Sequence, residues 1–202
     1  MANDVADFWF DPACPWAWMT SRWMDEVASV RDITVNWHIM SLVVLNEDKD
    51  IPEDYRKSLS TAMAPVRLIN AAREVHGERY VKPLYDAIGT RYHPQGRRDD
   101  QRQVLIESLE EVGLPADFIA YADSDEYDQS LRASHNRGLE LVGQDVGTPI
   151  VAFNDVAFFG PVISPAPKGE EAGKLWDAVV AAASFDGFFE LKRTRTRGPI
   201  FD

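Results

Sequence analysis

The stretch DPACPWAWMTSRW, residues 11–23, decides the fold. Ahead of it Val5 to Phe10 is an apolar-rich run that Asp11-Pro12 ends, as suits a buried strand with a sharp exit. Behind it Trp16, Met19, Trp23, Val27 and Val30 recur at helical spacing while Arg22, Asp25 and Glu26 take other faces, which predicts an amphipathic helix. Cys14 stands at the junction. Pro15 follows it at the first helical position, where proline is best tolerated, so Cys14 is the expected N-cap. Its sulfur would face the unpaired N–H groups of the first turn. That placement favours a thiolate and predicts a pKa lowered from about 8.5 to roughly 3.5–7.5. A lone cysteine is more often an inert small hydrophobe, but a Cys-Pro at a strand-to-helix junction weighs toward reactivity.

Further along, Ile33, Val35, Trp37 and Ile39 alternate with Thr34, Asn36, His38 and Met40, the period of a half-buried strand. Strand, helix and strand make a βαβ unit, expected to be parallel. From about Pro52 to Val142 helical periodicities take over, as in Leu59, Met63 and Val66 or Leu105, Leu109 and Val112. Pro65, Pro83, Gly89, Pro94-Gln95-Gly96, Gly113 and Pro115 are read as the punctuation between those helices. Strands return at Ile150 to Phe153 and Val156 to Phe159, joined by Asn154-Asp155 as a two-residue hairpin turn. A last helix follows Pro165 and Pro167, with Ala172, Leu175, Trp176, Val179, Val180 and Ala183 on one stripe. The expected fold is α/β, βαβ–ββα, with residues 1–50 and 143–202 forming one domain and 51–142 an all-helical insertion.

Composition narrows the function. The chain has 202 residues, 45% of them hydrophobic, enough for a real core. With 21 basic and 33 acidic side chains its formal charge is −12, which repels a phosphate backbone and an anionic leaflet, so no nucleic acid and no membrane are expected as partners. MANDVADFWF has neither a basic n-region nor a long apolar stretch, and no apolar run reaches spanning length, so the expected location is the cytoplasm. A single cysteine rules out an internal disulfide and a cysteine-rich zinc site, and four scattered histidines offer no metal-ligand spacing. There is no G-x-S-x-G, no Walker-type loop and no G-x-G-x-x-G, which removes the starting residues for serine-hydrolase and nucleotide readings.

The order of elements is thioredoxin-like, and the chain resembles the DsbA family of thiol-disulfide oxidoreductases, in which a helical domain is inserted into a thioredoxin fold. ADFWFDPACPWAWMTSRW, SLVVLNE, VGTPIVAFNDVAFFGPV, GEEAGKLWDA and FFELKRTRT resemble, more closely, its mycothiol-dependent reductase branch. The likeness runs over almost the whole chain. It departs at Ala17, where that branch carries a second cysteine: Cys14-Pro15-Trp16-Ala17 stands in place of Cys-Pro-Trp-Cys.

The resemblance implies that Cys14 is the nucleophile and that Pro149 in Gly147-Thr148-Pro149 is a cis-proline facing it, with the backbone of Thr148 available to pair with an extended thiol ligand. A proline merely opening an edge strand is the alternative. With Ala17 no internal thiol can resolve a mixed disulfide, so an outside thiol must. The expected cosubstrate is mycothiol, with no tightly bound cofactor and no metal, and with a mycoredoxin- or thioredoxin-type reductant as a further partner. Ala17 itself reads as a natural one-thiol variant or as a trapping substitution; its smooth surroundings favour the first.

Trp16 is expected either to cover a substrate at the sulfur or to join the core in register with Met19 and Trp23. Asn46 and Tyr55 follow the second strand and suit hydrogen bonding to a polar thiol, against loop solvation for Asn46 and packing for Tyr55. His93, in RYHPQG, is expected in a loop, either protonating a leaving group or simply at the surface. His135, in register with Leu131 and Val142, reads as a satisfied, partly buried histidine. The basic run Lys192 to Arg197 is expected to be solvated, to dock on acidic helices, or to attract an anionic partner. Two other classes compete with the reductase. Kappa-class glutathione transferases and 2-hydroxychromene-2-carboxylate isomerases insert helices into a thioredoxin fold and activate a bound thiol, commonly with serine where this chain has Cys14. A non-catalytic binding module would keep Cys14 as a relic with an ordinary pKa. A dithiol oxidase is excluded, since one cysteine cannot store a disulfide. Composition leaves monomer and homodimer both open.

Overall fold

The computed structural model describes residues 4–201. Four strands form one sheet in the order β2-β1-β3-β4: β1 Asp4–Phe10, β2 Ile33–Ile39, β3 Ile150–Phe153 and β4 Val156–Phe159. β1 runs parallel to β2, with Phe8 opposite Trp37, and antiparallel to β3, with Phe8 opposite Val151. An interior strand covered on both faces must be apolar on both, which is why Phe8, Trp9 and Phe10 are consecutive and all buried. β3 and β4 are a hairpin whose turn residues Asn154 and Asp155 both take positive φ, 49° and 63°, the left-handed conformation that a two-residue turn requires and that Asn and Asp tolerate.

Helix α1, Pro15–Val30, crosses from β1 to β2 and packs against the closing helix α8, Gly169–Ala183. Trp23 is fully buried between them, and its indole N–H donates to the Ala172 carbonyl at 3.0 Å. Burying a side chain of that size contributes about 3 kcal/mol, and the satisfied N–H avoids the cost of an orphaned donor. Trp9 points into a second, smaller cluster with Met40, Leu45, Leu139 and Ile150.

The rest of the helices lie between β2 and β3: α2 Leu42–Asn46, α3 Glu53–Leu59, α4 Met63–His76, α5 Val81–Tyr92, α6 Gln101–Glu111 and α7 Asp128–Val142, with 3₁₀ turns at Glu78–Tyr80, Arg98–Asp100 and Ala116–Asp123. The architecture is thus the thioredoxin-like one with a helical insertion. Three expected helix breaks are not breaks. Pro65 and Pro83 are third residues of α4 and α5, where the missing N–H has no intrahelical partner anyway. Gly89 lies inside α5 because a Cβ there would meet Trp18 Cζ3 at 2.2 Å. That close approach lays the insertion on the helix that starts at Cys14. Around it Tyr85 stacks near Phe10, with ring centroids 3.9 Å apart, and meets Trp18 edge-on at 5.7 Å.

After α8 the chain runs without regular secondary structure. Phe188 packs edge-on against Phe158, while Phe189 and Leu191 are more than four-fifths exposed. The chain then returns to the body: the Ser164 hydroxyl donates to the Gly198 carbonyl and accepts from the Ile200 N–H, each at 2.9 Å. Among the described residues no helix is long and apolar enough to cross a membrane.

Candidate active site

Cys14 is the N-cap of α1, with extended backbone at φ −83° and ψ 114°. Its sulfur accepts from the Ala17 N–H at 3.5 Å and its S–H donates to the Thr148 carbonyl at 3.4 Å. Both neighbours are fixed. Thr148 spends its hydroxyl on the Trp9 carbonyl at 3.2 Å, and the Thr148–Pro149 peptide is cis. On the other side the fully buried Asp11 carboxylate accepts the Ala13 N–H and the Leu42 N–H, each at 2.7 Å. The first bond is an Asx turn that bends the chain into Cys14, and the second ties that turn to the start of α2. Ser41 caps α2 through Val43 and Val44, so a five-residue helix is held wholly from its N-terminal end.

The electrostatics overturn one expectation. Cys14 is only 6% exposed, and burial, together with the negative Asp11, pushes its pKa up to about 11 although the Ala17 and Trp16 N–H groups and Arg98 pull it down. The helix N-terminus is in place, but a buried anion loses more in water than one turn of amides returns. Burial likewise raises Asp11 to about 6 against its two N–H donors and Arg98. So placed, the sulfur is held as a protonated thiol at neutral pH.

The other expected residues sort unevenly. Ala17 is fully buried in the first turn of α1. Trp16 is half-buried against the core, and the Arg195 guanidinium lies over its ring at 5.1 Å. Tyr55, on α3, is 39% exposed; burial and then the charges of Cys14 and Asp11 raise its pKa, which puts its hydroxyl within their field. Asn46 turns its amide back onto the Leu42 carbonyl at 2.7 Å, so that donor is spent inside its own helix.

His93, in the turn that closes α5, is not a surface group. It is 5% exposed at the C-terminal end of α5, its Nε2 bonds the Pro12 carbonyl at 3.0 Å, and Arg98 donates to its Nδ1 at 3.2 Å. Those partners require the neutral ring with the proton on Nε2. Burial, then Arg98, lowers its pKa to about 3, so the ring is neutral and braces the loop before Cys14 through its Nε2–H. His135 is buried and accepts the Ser41 N–H at 3.3 Å, as its register suggested. Two groups escaped the sequence reading. Asp11 was legible as an acceptor one residue ahead of Pro12, whereas nothing marked Arg98 as the side chain that reaches the Ala13 carbonyl at 2.6 Å.

Comparison with known proteins gives the family and the fold. The family model described as Rv2466c-like, mycothiol-dependent nitroreductase Rv2466c, matches residues 13–193. A curated relative, "Uncharacterized protein Rv2286c" of Mycobacterium tuberculosis (strain ATCC 25618 / H37Rv), is 29% identical over 97% of this chain and 84% of its own. Among solved structures, the probable DsbA oxidoreductase SCO1869 of Streptomyces coelicolor superposes with a TM-score of 0.58 at 18% identity, over 96% of this chain and 94% of that one. The cytosolic disulfide reductase DsbM of Pseudomonas aeruginosa with GSH gives 0.53 at 18%, over 88% and 99%. A 2-hydroxychromene-2-carboxylate isomerase gives 0.56 at 14%, over 88% and 93%.

Proposed function

The chain belongs to the Rv2466c-like family of mycothiol-dependent nitroreductases, and on that premise we propose that it is a DsbA-like thiol-disulfide oxidoreductase working with Cys14 alone and with mycothiol as cosubstrate. One observation carries the one-thiol part: the sulfur is held between the Ala17 N–H and the Thr148 carbonyl, and the chain has no other cysteine. A ligand disulfide that pairs with the Thr148–Pro149 backbone displaces the S–H from the Thr148 carbonyl, and the thiol proton passes to solvent. The Cys14 thiolate then attacks one ligand sulfur, the S–S bond breaks, and the other half departs as thiolate. Mycothiol attacks the resulting mixed disulfide and returns Cys14 to the reduced state. Each cycle consumes one mycothiol and leaves the ligand half joined to it as a mixed disulfide; a second mycothiol frees that half and forms mycothiol disulfide, which a mycoredoxin- or thioredoxin-type partner reduces. Cytoplasmic location follows from that thiol supply.

A second reading has one observation in its favour. Cys14 is held as a protonated donor, and a serine could make the same hydrogen bond to a bound thiolate, as in the isomerase-type enzymes. Replacement of Cys14 by serine separates the two. The reductase reading expects a mycothiol adduct on the wild-type chain, read by intact mass after exposure to mycothiol disulfide, and neither adduct nor turnover in Cys14→Ser. Retained turnover in Cys14→Ser would establish the bound-thiol reading instead.

A further inference from the structure

We propose that Arg98 and Arg195 form a cationic clasp at the mouth of the thiol site, and that the disulfide or electrophile reduced there carries a carboxylate or sulfonate beside its reactive atom. This rests on the reading of Cys14 as the nucleophile and names its substrate class. The two guanidiniums come from distant parts of the chain and touch residues on either side of the cysteine. Arg98, in the 3₁₀ turn Arg98–Asp100, donates to the carbonyl of Ala13, the residue just before Cys14. Arg195 is brought in by the C-terminal strap and lies on Trp16, two residues after Cys14. The strap is fastened just beyond that approach. Ser164 holds Gly198 and Ile200, and the Phe201 ring meets His93 with centroids 5.5 Å apart.

Their position beside Cys14, with no carboxylate neutralising either, gives the pair its meaning. Acidic side chains outnumber basic ones 33 to 21, and Arg22, Arg31, Arg67, Arg73, Arg91, Arg97, Arg102 and Arg132 all pair with carboxylates. Among the described residues Arg98 and Arg195 contact no carboxylate, which is equally true of Arg56, Arg79, Arg137, Arg193 and Arg197, but only these two touch Ala13 and Trp16 on either side of Cys14. Asp11 acts on Arg98 only through space, since both of its oxygens are committed to backbone N–H groups. Stacking on Trp16 engages the flat face of Arg195 and leaves its N–H edge for a ligand oxygen, the geometry in which a guanidinium grips a carboxylate. The site thus offers positive charge where exchange develops negative charge, on the attacking and on the departing sulfur. A body with net charge −12 would otherwise repel the same ligand.

Two aromatic disulfides test it: the nitrobenzoate disulfide with one carboxylate on each ring, and uncharged dipyridyl disulfide. In each reaction the Cys14 thiolate displaces one aromatic thiolate and the mixed disulfide forms. Rates are taken relative to a small free thiol, in wild type, Arg98→Gln, Arg195→Gln and Arg79→Gln, the last removing a charge that does not act on Cys14. The expected result is a preference of about five-fold for the anionic reagent in wild type, reduced in Arg98→Gln and Arg195→Gln, unchanged in Arg79→Gln and weakened by salt. Labelling by the neutral reagent with no charge preference, or a preference unaltered in both clasp variants, would overturn the clasp and leave the nucleophile standing. Failure of both reagents to label Cys14 would overturn the nucleophile, and this inference with it.

Discussion

At the residue scale the site is a contest between a helix terminus and burial, with the Asp11 carboxylate adding to the effect of burial. The position of Cys14 was legible because a strand end, an Asx turn and a proline at the first helical position are local signals. Its protonation state was not, because burial and the field of Asp11 exist only once the insertion has packed over the loop. Replacement of Asp11 by Asn removes that field but leaves one carbonyl to serve two N–H groups. Asp11→Asn is therefore expected to lower the pKa of Cys14, read from the pH dependence of its alkylation. It should also destabilise the fold by about 1–3 kcal/mol in urea. An unmoved alkylation profile would show that Asp11 does not set the thiol's charge.

At the element scale β1 through β4 and the two flanking helices α1 and α8 were readable, because each buries a regular stripe or alternation. The insertion was readable as helical but not in its joints. Gly89 looks like a break in one dimension and is a contact in three, the point where α5 comes down on Trp18 of α1. Gly89→Ala would force α5 and Trp18 apart, and because α5 ends at His93, the brace of the Pro12 carbonyl would move with it. The expected outcome is a loss of about 1–3 kcal/mol despite alanine's better helix propensity, together with faster alkylation of Cys14 as the brace on the loop before it loosens. A stabilised variant with unchanged alkylation would contradict the packing role. The short α2 went unread because five residues carry no period, although Ser41 ahead of an apolar run is a capping signal in its own right.

At the scale of the whole molecule the sequence made the family likeness visible from end to end, while the strap's return to the thiol site was not visible, since an irregular tail has no pattern that says where it docks. The same burial that raises Cys14 governs acid stability. His93 at about 3 and His135 at about 4 are neutral in the fold, and burial lowers His38 too, whereas all three take up protons in the unfolded chain below about pH 6.5. The unfolded state therefore binds more protons as pH falls, and stability drops from about pH 6.5 toward pH 4. Asp11 works the other way. Held at about 6 in the fold against about 3.9 unfolded, it costs stability above pH 6 and returns it as pH falls toward 4, so it offsets part of the histidine effect. The urea midpoint should fall between pH 7 and pH 4.5, and less steeply in His93→Gln. A midpoint that is flat or rises toward acid would contradict this assignment of charges.

The central claim is that one sulfur forms the mixed disulfide and an outside thiol resolves it. Its most direct measurement is the release of a preformed Cys14–mycothiol adduct, followed by intact mass while the concentration of added mycothiol is varied. The account predicts no release without added thiol and a rate that rises in proportion to it. Release at a rate independent of added thiol would contradict it.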